Sequence, residues 1–306
     1  MDKQAAPQSG IYYDVPFAEY RSWDALNIST LLWAECSMEH VRASLDGVIE
    51  DKPSDAKTMG SALHCRILEP DQFAARYTIA PGCEAVLKSG KNAGEECGKR
   101  ASFVTDGGKY MCGTHAPASS LEPDNMLTAE QATRIEAINT KVRSHAVVKL
   151  IRQHGGFECS IVWEREGVLC KARLDKYITG AACPDTIVDL KKVQMGKGGD
   201  AEFGKSIVNY HYHMKAAWYS DAAKAMNGIE PVFIWLVVEE LPPYGVNVIH
   251  CDAETMAIGR YMNEKAVQHY RLCVEKNEWP GYSSDIHLGG LPEWVRRSFQ
   301  GLLGKI

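Results

Sequence analysis

The stretch 171–193, KARLDKYITGAACPDTIVDLKKV, most constrains this chain, because its alternating pattern predicts two β-strands joined by a turn with Gly and Pro. Asp175 lies on the first predicted strand, and Asp189 and Lys191 lie two residues apart on the second. Since strand side chains alternate between faces, Asp189 and Lys191 point the same way, opposite to their apolar neighbours. Pairing of the two strands would bring Asp175 close to Asp189.

Two carboxylates and an ammonium in one small volume indicate a metal site. Carboxylates that lie this close repel each other unless a cation sits between them. Mg²⁺ or Mn²⁺ is the natural choice for oxygen ligands, and a metal combined with a lysine suits the hydrolysis of a phosphodiester. The alternative interpretation is a solvated strand edge that carries an ordinary surface ion pair.

Composition limits the class of protein. The 306 residues carry a formal net charge of −5, whereas nucleic-acid-binding domains are usually basic. A role on nucleic acid would therefore depend on local basic clusters and on a metal that offsets the acids. The sequence has no apolar run of about 18 residues, and MDKQAAPQSG lacks the apolar core of a signal peptide. We expect a cytoplasmic protein with no membrane partner.

A predicted helix over residues 57–68 carries His64 among apolar neighbours. A single histidine on a helix is more often a satisfied core or surface residue than a ligand. A neutral imidazole beside a carboxylate metal site would nevertheless be a suitable additional ligand. His64 is therefore a candidate ligand if this helix meets the acidic strands.

Residues 81–118 differ from their surroundings, being rich in Gly, Lys and Cys and poor in periodic apolar residues. GGKYMCGTH, with its Cys-x-x-His knuckle, resembles the second half of a small zinc ribbon. Structural Zn²⁺ would supply the folding energy that such a segment lacks. The alternative is a flexible insert with free cysteines. The predicted zinc ligands are Cys83, Cys97, Cys112 and His115.

The insert divides the chain into three parts. Residues 1–80 form an N-terminal helical part, residues 81–118 the Cys-rich insert, and residues 119–306 a core with C-terminal helices. The predicted elements, from caps and apolar periodicity, are helices at 27–45, 57–68 and 128–154, strands at 157–165, 168–178 and 186–193, helices at 201–208 and 210–227, strands at 231–239 and 244–251, and a helix at 253–277.

Several phrases stand in the order found in one nuclease family: GIYYDVPFAEYRSWDALNIS, MGSALHCRILEPDQFAARY, KARLDKY with VDLKK, YHMKAAWY and EWPGY. In these phrases the chain resembles the RecE-type exodeoxyribonucleases (exodeoxyribonuclease VIII) of the PD-(D/E)XK superfamily. The resemblance runs from Gly10 to about Trp294 and leaves out the Cys-rich insert. It implies an α/β (α+β) fold of the restriction-endonuclease type, with a central mixed sheet flanked by helices.

The resemblance also implies roles for individual residues. His64, Asp175 and Asp189 match the family's metal ligands. The backbone carbonyl of Leu190, between the second acid and the lysine, would be a further ligand. Lys191 matches the catalytic lysine.

Three other positions match the family less closely. Glu158 occupies the place of an accessory acid in related exonucleases, and Tyr219 matches the tyrosine of a Gln-x-x-x-Tyr motif. The glutamine position of that motif is Lys215 in this chain. A lysine contacts phosphate as a point charge and lacks the donor and acceptor of an amide. The departure affects how the scissile phosphate is positioned.

The resemblance implies Mg²⁺-dependent hydrolysis of linear duplex DNA, from 5′ to 3′, with 5′-phosphate products and 3′ overhangs. It further implies a ring-shaped homo-oligomer, a RecT-like single-strand annealing partner, and an origin in a phage or prophage of a bacterial host. The candidates for contacts to the DNA backbone are Arg173, Lys192, Lys197 and Lys205.

Two alternatives remain open at the level of sequence. The ten cysteines allow a nuclease of the same superfamily that holds an iron–sulfur cluster with four of them. The histidine in the set that includes Cys112 favours zinc instead. The other alternative is a non-catalytic DNA-binding module on a nuclease fold. Asp175, Asp189 and Lys191 are all present, and only Lys215 favours that alternative.

Overall fold

A six-stranded mixed sheet forms the centre of the protein in a computed structural model that describes residues 3–49, 55–121, 123, 125–152, 155–180, 184–291 and 293–298. The strands of the described chain are β1 Gly10–Tyr12, β2 Thr78–Ile79, β3 Phe103–Val104, β4 Tyr110–Met111, β5 Met126–Leu127, β6 Gly156–Arg165, β7 Val168–Ile178, β8 Thr186–Val193, β9 Val232–Glu239 and β10 Val246–His250.

The order of the sheet is β1-β6-β7-β8-β9-β10. The predicted meander of β6, β7 and β8 is confirmed, since each strand pairs antiparallel with the next. β8 and β9 run parallel, and the crossover between them contains two helices. Neither strand of this parallel pair lies at an edge of the sheet, which explains why β9 is a continuous apolar run.

Helices cover both faces of the sheet, as the family resemblance implied. The helices are α1 Phe17–Ser22, α2 Ile28–Leu31, α3 Met38–Leu45, α4 Asp55–Leu68, α5 Pro70–Arg76, α6 Ala129–Ser144, α7 Ala146–Arg152, α8 Asp200–Asn209, α9 Tyr212–Asn227, α10 Ala253–Lys276 and α11 Glu293–Ser298. None of the described helices is long and apolar enough to cross a membrane.

Two buried cores lie on opposite faces of the sheet. Alternate residues of β9 contribute to each core, with Trp235 on one side and Leu236 on the other. The first core is completed by α8, α9 and α10, and its largest fully buried side chain is Trp218. The second core is completed by α4 and α6, through residues such as Leu63 and Ile138. The sheet is therefore held rigidly between two layers of helices.

Two predicted helices are broken in the structure. The helix predicted over 27–45 is capped by Asn27 as expected, but α2 ends at Leu31 and a 3₁₀ turn follows. The hydroxyl of Ser37 then accepts from the backbone N–H of His40 and starts α3, because serine satisfies a free N–H at a helix start.

The helix predicted over 128–154 begins as expected, with a capping box between Thr128 and Gln131. It is interrupted at His145, where ψ is 128°, and α7 continues to Arg152. The predicted end at residue 154 lies outside the described residues.

The Cys-rich segment lies between β2 and β5, whose parallel pairing joins its two ends. A short hairpin of β3 and β4 forms part of it. Within its described residues, only Cys83, Ala101 and Cys112 are buried hydrophobic residues. A core this small supplies little stabilisation of its own.

A close approach of two helices supports the face of the sheet that carries α9. A Cβ atom on Gly259 of α10 would lie 2.2 Å from the backbone oxygen of His213 and 3.1 Å from Cβ of Ala217. Gly259→Ala must therefore push α10 away from α9, and we expect the free energy of unfolding to fall by about 1–3 kcal/mol in urea denaturation.

Gly204 provides the matched control, because it is also helical but has nothing within 4 Å of an added Cβ. Gly204→Ala is expected to raise the free energy of unfolding by about 0.5–1 kcal/mol, since alanine loses less backbone entropy on folding. Equal effects of the two substitutions would contradict the close helix contact.

Candidate active site

The candidate site forms where β7 and β8 separate. The two strands pair over residues 176–178 and 186–188. At Asp175 the backbone hydrogen bonds between the two strands stop. Instead, the backbone N–H of Leu190 donates a hydrogen bond to Oδ2 of the Asp175 side chain at 2.8 Å. The first acid is thus fixed against the backbone between Asp189 and Lys191, the region that the sequence pattern singled out.

The helix α4 brings His64 to the same place. Its Nδ1 lies 3.5 Å from Oδ2 of Asp175. Burial, reinforced by the charge of Lys191, lowers the pKa of His64 to about 4. The imidazole is therefore neutral near pH 7, which is the form that binds metal ions.

Lys191 and Asp189 form an ion pair in which the side chains are 15% and 5% exposed. The Lys191 ammonium also lies 3.5 Å from the carbonyl oxygen of Leu190. Burial by itself would lower the pKa of Lys191, but the charges of Asp189 and Asp175 outweigh it and the pKa is raised. Lys191 is accordingly protonated in the metal-free protein.

Asp175 is the acid with the most strongly perturbed titration in the site. Burial and the nearby carboxylate of Asp189 raise the pKa of Asp175 to about 7, although Lys191 and Lys215 oppose part of this shift. A carboxyl group whose pKa is raised by a neighbouring carboxylate gains from a bound cation. The oxygen atoms of both acids, the carbonyl of Leu190 and the imidazole of His64 form a donor set that fits a divalent metal.

Glu158 lies on β6 across from Asp175, between the paired residues Phe157 and Cys159. Its φ is 49°, in the left-handed region, which costs a residue other than glycine about 1–3 kcal/mol. Burial and the charge of Asp175 raise the pKa of Glu158, and Arg173 partly offsets this. Strain of this kind is concentrated at functional sites, and here it holds a third carboxyl group beside the two acids.

Arg173 does not occupy the position expected for a DNA contact, and this prediction is corrected. Its side chain is only 11% exposed. Its guanidinium donates to Oε2 of Glu158 at 2.6 Å, to the backbone oxygen of Val15 at 2.8 Å and to Oγ of Ser160 at 3.3 Å. Because these donors are used within the protein, Arg173 orients Glu158 instead of reaching a phosphate.

The helix α9 carries Lys215 and Tyr219 at helical spacing on the side that faces the acids. Burial and the charge of Lys191 lower the pKa of Lys215. Burial and the charge of Asp189 raise the pKa of Tyr219. Both side chains therefore share the electrostatic environment of the two acids.

Sequence reasoning missed Tyr212, whose ring lies beside both lysines. The ammonium of Lys191 is 5.0 Å from the ring centroid, and that of Lys215 is 5.7 Å away. The predicted helix start at residue 210 is also wrong, since α9 begins at Tyr212 after a left-handed His211 with φ of 53°. The one available signal was the aromatic cluster YHYH directly before Lys215.

The other three candidates for DNA contacts lie near the surface and are paired with acids. Nζ of Lys192 is 2.5 Å from Oε2 of Glu240, and its side chain is 18% exposed. Lys197 and Lys205 both contact Glu202 at 2.5 Å and are 50% and 69% exposed. Of these three lysines, Lys197 and Lys205 are the more exposed, and a DNA backbone could reach them in exchange for Glu202.

The four predicted zinc ligands come together in the insert. One donor atom from each of Cys83, Cys97, Cys112 and His115 lies within 4.8 Å of the others. The Nδ1 atom of His115 is 3.5 Å from Sγ of Cys83 and 3.5 Å from Sγ of Cys112. Burial tends to raise the pKa of Cys112, but the backbone N–H groups of Thr114 and His115 and the neighbouring thiols lower it to about 6. The cluster is compatible with a metal site.

The mixed sheet between helices, with Asp175 facing an Asp189-x-Lys191 strand, defines a PD-(D/E)XK-like protein. The chain belongs to the family described as "PDDEXK-like domain of unknown function (DUF3799)", whose model matches residues 27–289. The fold class and the superfamily expected from the sequence are thereby confirmed. No curated protein matches the chain.

One solved structure shares the fold. The chain is similar to a crystal structure from Eubacterium rectale described as a "Putative exonuclease", with a TM-score of 0.59 and 15% sequence identity. The similarity covers 95% of this chain and 100% of that chain. A second structure, SSO0001, has a TM-score of 0.24 and 13% identity over 45% of this chain and 68% of that chain, which is too low to bear on the fold.

Proposed function

We propose that this protein is a divalent-metal-dependent deoxyribonuclease that degrades linear duplex DNA from its ends. The observation that carries the proposal is the buried group of Asp175, Asp189 and Lys191 at the point where two central strands separate. Membership of a PDDEXK-like family supports it, since nucleases of this superfamily generally use divalent metals. The resemblance of the sequence phrases to RecE-type enzymes supports the choice of an exonuclease.

Mg²⁺ or Mn²⁺ would be held by Asp175, Asp189, the carbonyl of Leu190 and His64. The raised pKa of Asp175 and the lowered pKa of His64 both fit this role, because a cation stabilises the charged carboxylate and binds the neutral imidazole. When bound, such a metal supplies a polarised phosphate and a water of lowered pKa.

Lys191 is the residue proposed to act on the attacking water. Because its pKa is raised, its ammonium donates a hydrogen bond and stabilises the developing hydroxide, and it does not itself accept the proton. Lys215 and Tyr219 on α9 would contact the scissile phosphate. Lys215 would do so as a point charge in place of the amide of the Gln-x-x-x-Tyr motif.

The finer features of the proposal rest on the RecE-type resemblance. They are digestion from 5′ to 3′, products with 5′-phosphates, a homo-oligomeric ring and a RecT-like annealing partner in phage-type recombination. Lys197 and Lys205 are the proposed contacts to the DNA backbone, with Lys192 contributing if its pairing with Glu240 is exchanged. DNA affinity should therefore fall as salt increases.

Zn²⁺ is the metal proposed for the insert. Tetrahedral zinc with Zn–S near ~2.3 Å and Zn–N near ~2.0 Å separates a sulfur ligand from a nitrogen ligand by about 3.5 Å. The two separations of 3.5 Å from His115 to Cys83 and Cys112 fit this geometry. Three thiolates and one imidazole also favour zinc over an iron–sulfur cluster, which is usually held by cysteines alone.

Digestion of end-labelled linear duplex DNA tests the proposed activity. We expect loss of a 5′ label before a 3′ label in Mg²⁺, no loss in EDTA, and none with Asp189→Ala, which removes a metal ligand. Loss of the 3′ label first would show that the enzyme digests from 3′ to 5′, and the nuclease activity itself would still be demonstrated. Retained DNA binding without cleavage in Mg²⁺ or Mn²⁺ would instead favour the non-catalytic module, with Lys215→Gln as the first reversion to make.

A further inference from the structure

An exposed aromatic ring lies next to the proposed active site and has no part in the chemistry above. Tyr210 stands between α8 and α9 and is 60% exposed. Its ring stacks on that of Tyr212, with centroids 5.5 Å apart and an angle of 30° between the planes. An aromatic side chain this exposed gains little free energy from burial.

The inner ring of this stacked pair, Tyr212, contacts the proposed catalytic lysine, Lys191, as well as Tyr210. The Lys191 ammonium is 5.0 Å from the Tyr212 centroid. On its inner side Tyr212 packs against buried Phe203, with centroids 5.9 Å apart. Phe203 in turn meets Trp235 of the central sheet. The outer ring is therefore presented from a rigid base.

The backbone of this turn is strained in the way expected for a functional position. His211 adopts φ of 53° and ψ of 37°, which makes the chain reverse between the two helices and sets Tyr210 beside Tyr212. A left-handed residue other than Gly costs about 1–3 kcal/mol and persists where the surrounding structure requires it. The preceding helix α8 carries Lys205, which is 69% exposed and forms an ion pair with Glu202.

We propose that Tyr210 is a stacking platform for an unpaired base of the DNA strand that enters the active site. Aromatic rings bind single-stranded nucleic acid because every base has a π-face, and positively charged side chains nearby hold the backbone. The exposed ring stacks on Tyr212, whose centroid is 5.0 Å from the Lys191 ammonium, so a base stacked on Tyr210 would lie close to the proposed active site. Tyr210 is a positioning residue in this scheme, and the inference rests on the proposed nuclease function.

A fluorescent base measures the stacking directly. Single-stranded DNA and duplex DNA with a frayed end would carry 2-aminopurine at the terminal positions, and Ca²⁺ would replace Mg²⁺ to prevent cleavage. We expect the wild-type protein and Tyr210→Phe to quench the fluorophore. Tyr210→Ala should abolish the quenching and weaken binding of the single strand about tenfold, within the ~1–3 kcal/mol that one stacked base contributes.

Tyr261 supplies the matched control, since it is 62% exposed on α10. Tyr261→Ala should bind and quench as the wild type does. Unchanged quenching and affinity in Tyr210→Ala would overturn the stacking role. If the wild-type protein still cleaves DNA, the proposed nuclease function is unaffected by that result. A wild-type protein that neither binds nor cleaves DNA would remove both proposals. A change in oligomeric state without a change in quenching would identify Tyr210 as a protein interface and also overturn the stacking role.

Discussion

Lys191→Met is expected to slow the cleavage of linear duplex DNA by about 10³-fold while the protein still binds DNA and metal. Methionine keeps the stem that fills the site but removes the ammonium that stabilises the attacking hydroxide, and a single catalytic group of this type contributes roughly 10²–10⁴-fold. Single-turnover rates with enzyme in excess would measure this effect without a contribution from product release.

Lys192→Met is the matched control for this substitution. Lys192 is the next residue on β8 and pairs with Glu240, whereas Lys191 pairs with Asp189. We expect its single-turnover rate at saturating enzyme to stay within about threefold of the wild type, and its DNA affinity to fall slightly at low salt. Equal rates for Lys191→Met and the wild type, with metal bound in both, would contradict the catalytic role of Lys191.

Lys191→Met also removes the ion-pair partner of Asp189, which is expected to lower the stability of the protein apart from its effect on catalysis. The Asp189 carboxylate is 5% exposed, and an unpaired buried charge destabilises a protein strongly. The melting temperature of Lys191→Met should therefore fall without divalent metal and recover when Mg²⁺ is added. Such recovery would show that the variant is folded under the conditions of the rate measurement.

Cys112→Ser is expected to reduce the zinc content from about one ion per chain to below about a tenth, and to unfold the segment between β2 and β5. Structural zinc in small domains contributes on the order of 10 kcal/mol to folding, and this segment has little core of its own. Metal analysis of the purified protein gives the zinc content, and limited proteolysis reports whether the segment is cut.

The central sheet should survive this change, because the two cores on its faces do not include Cys112. Cys36→Ser is the matched control, since Cys36 is exposed and lies outside the cluster. It should keep its zinc and resist proteolysis. A Cys112→Ser variant with full zinc content, or a wild-type protein purified with an iron–sulfur absorbance, would contradict the assignment of zinc.

Most individual strands and helices were predictable from local sequence, whereas their arrangement in layers was implied by the family resemblance. Alternation marked β6, β7 and β8, and helical apolar periodicity marked α4, α6 and α10. The short strand β1 was not predictable, because three residues carry no periodic signal and only pairing with β6 makes them a strand. The breaks at Ser37 and His145 were missed for a similar reason, since a polar residue within an apolar stripe can continue a helix or end it.

Within the candidate site, the sequence pointed to the residue types but not to all of their partners. The spacing of Asp189 and Lys191 fixed their common face, and the turn before them implied that Asp175 would be near. The contact of His64 with Asp175 required α4 to pack on the strands. The pairing of Arg173 with Glu158 also depended on the tertiary structure, and it removed Arg173 from the candidates for DNA binding.

The sequence by itself determined the order of strands and helices along the chain, the positions of Asp175, Asp189 and Lys191, and the set of three cysteines and one histidine in the insert. These follow from the period of side-chain direction and from ligand chemistry, both of which are local. Only the tertiary structure decided which groups are buried together, which lysines are already paired, and that Tyr210 and Tyr212 stack beside Lys191. Burial and charge proximity set pKa values and access, and they arise only when distant segments pack.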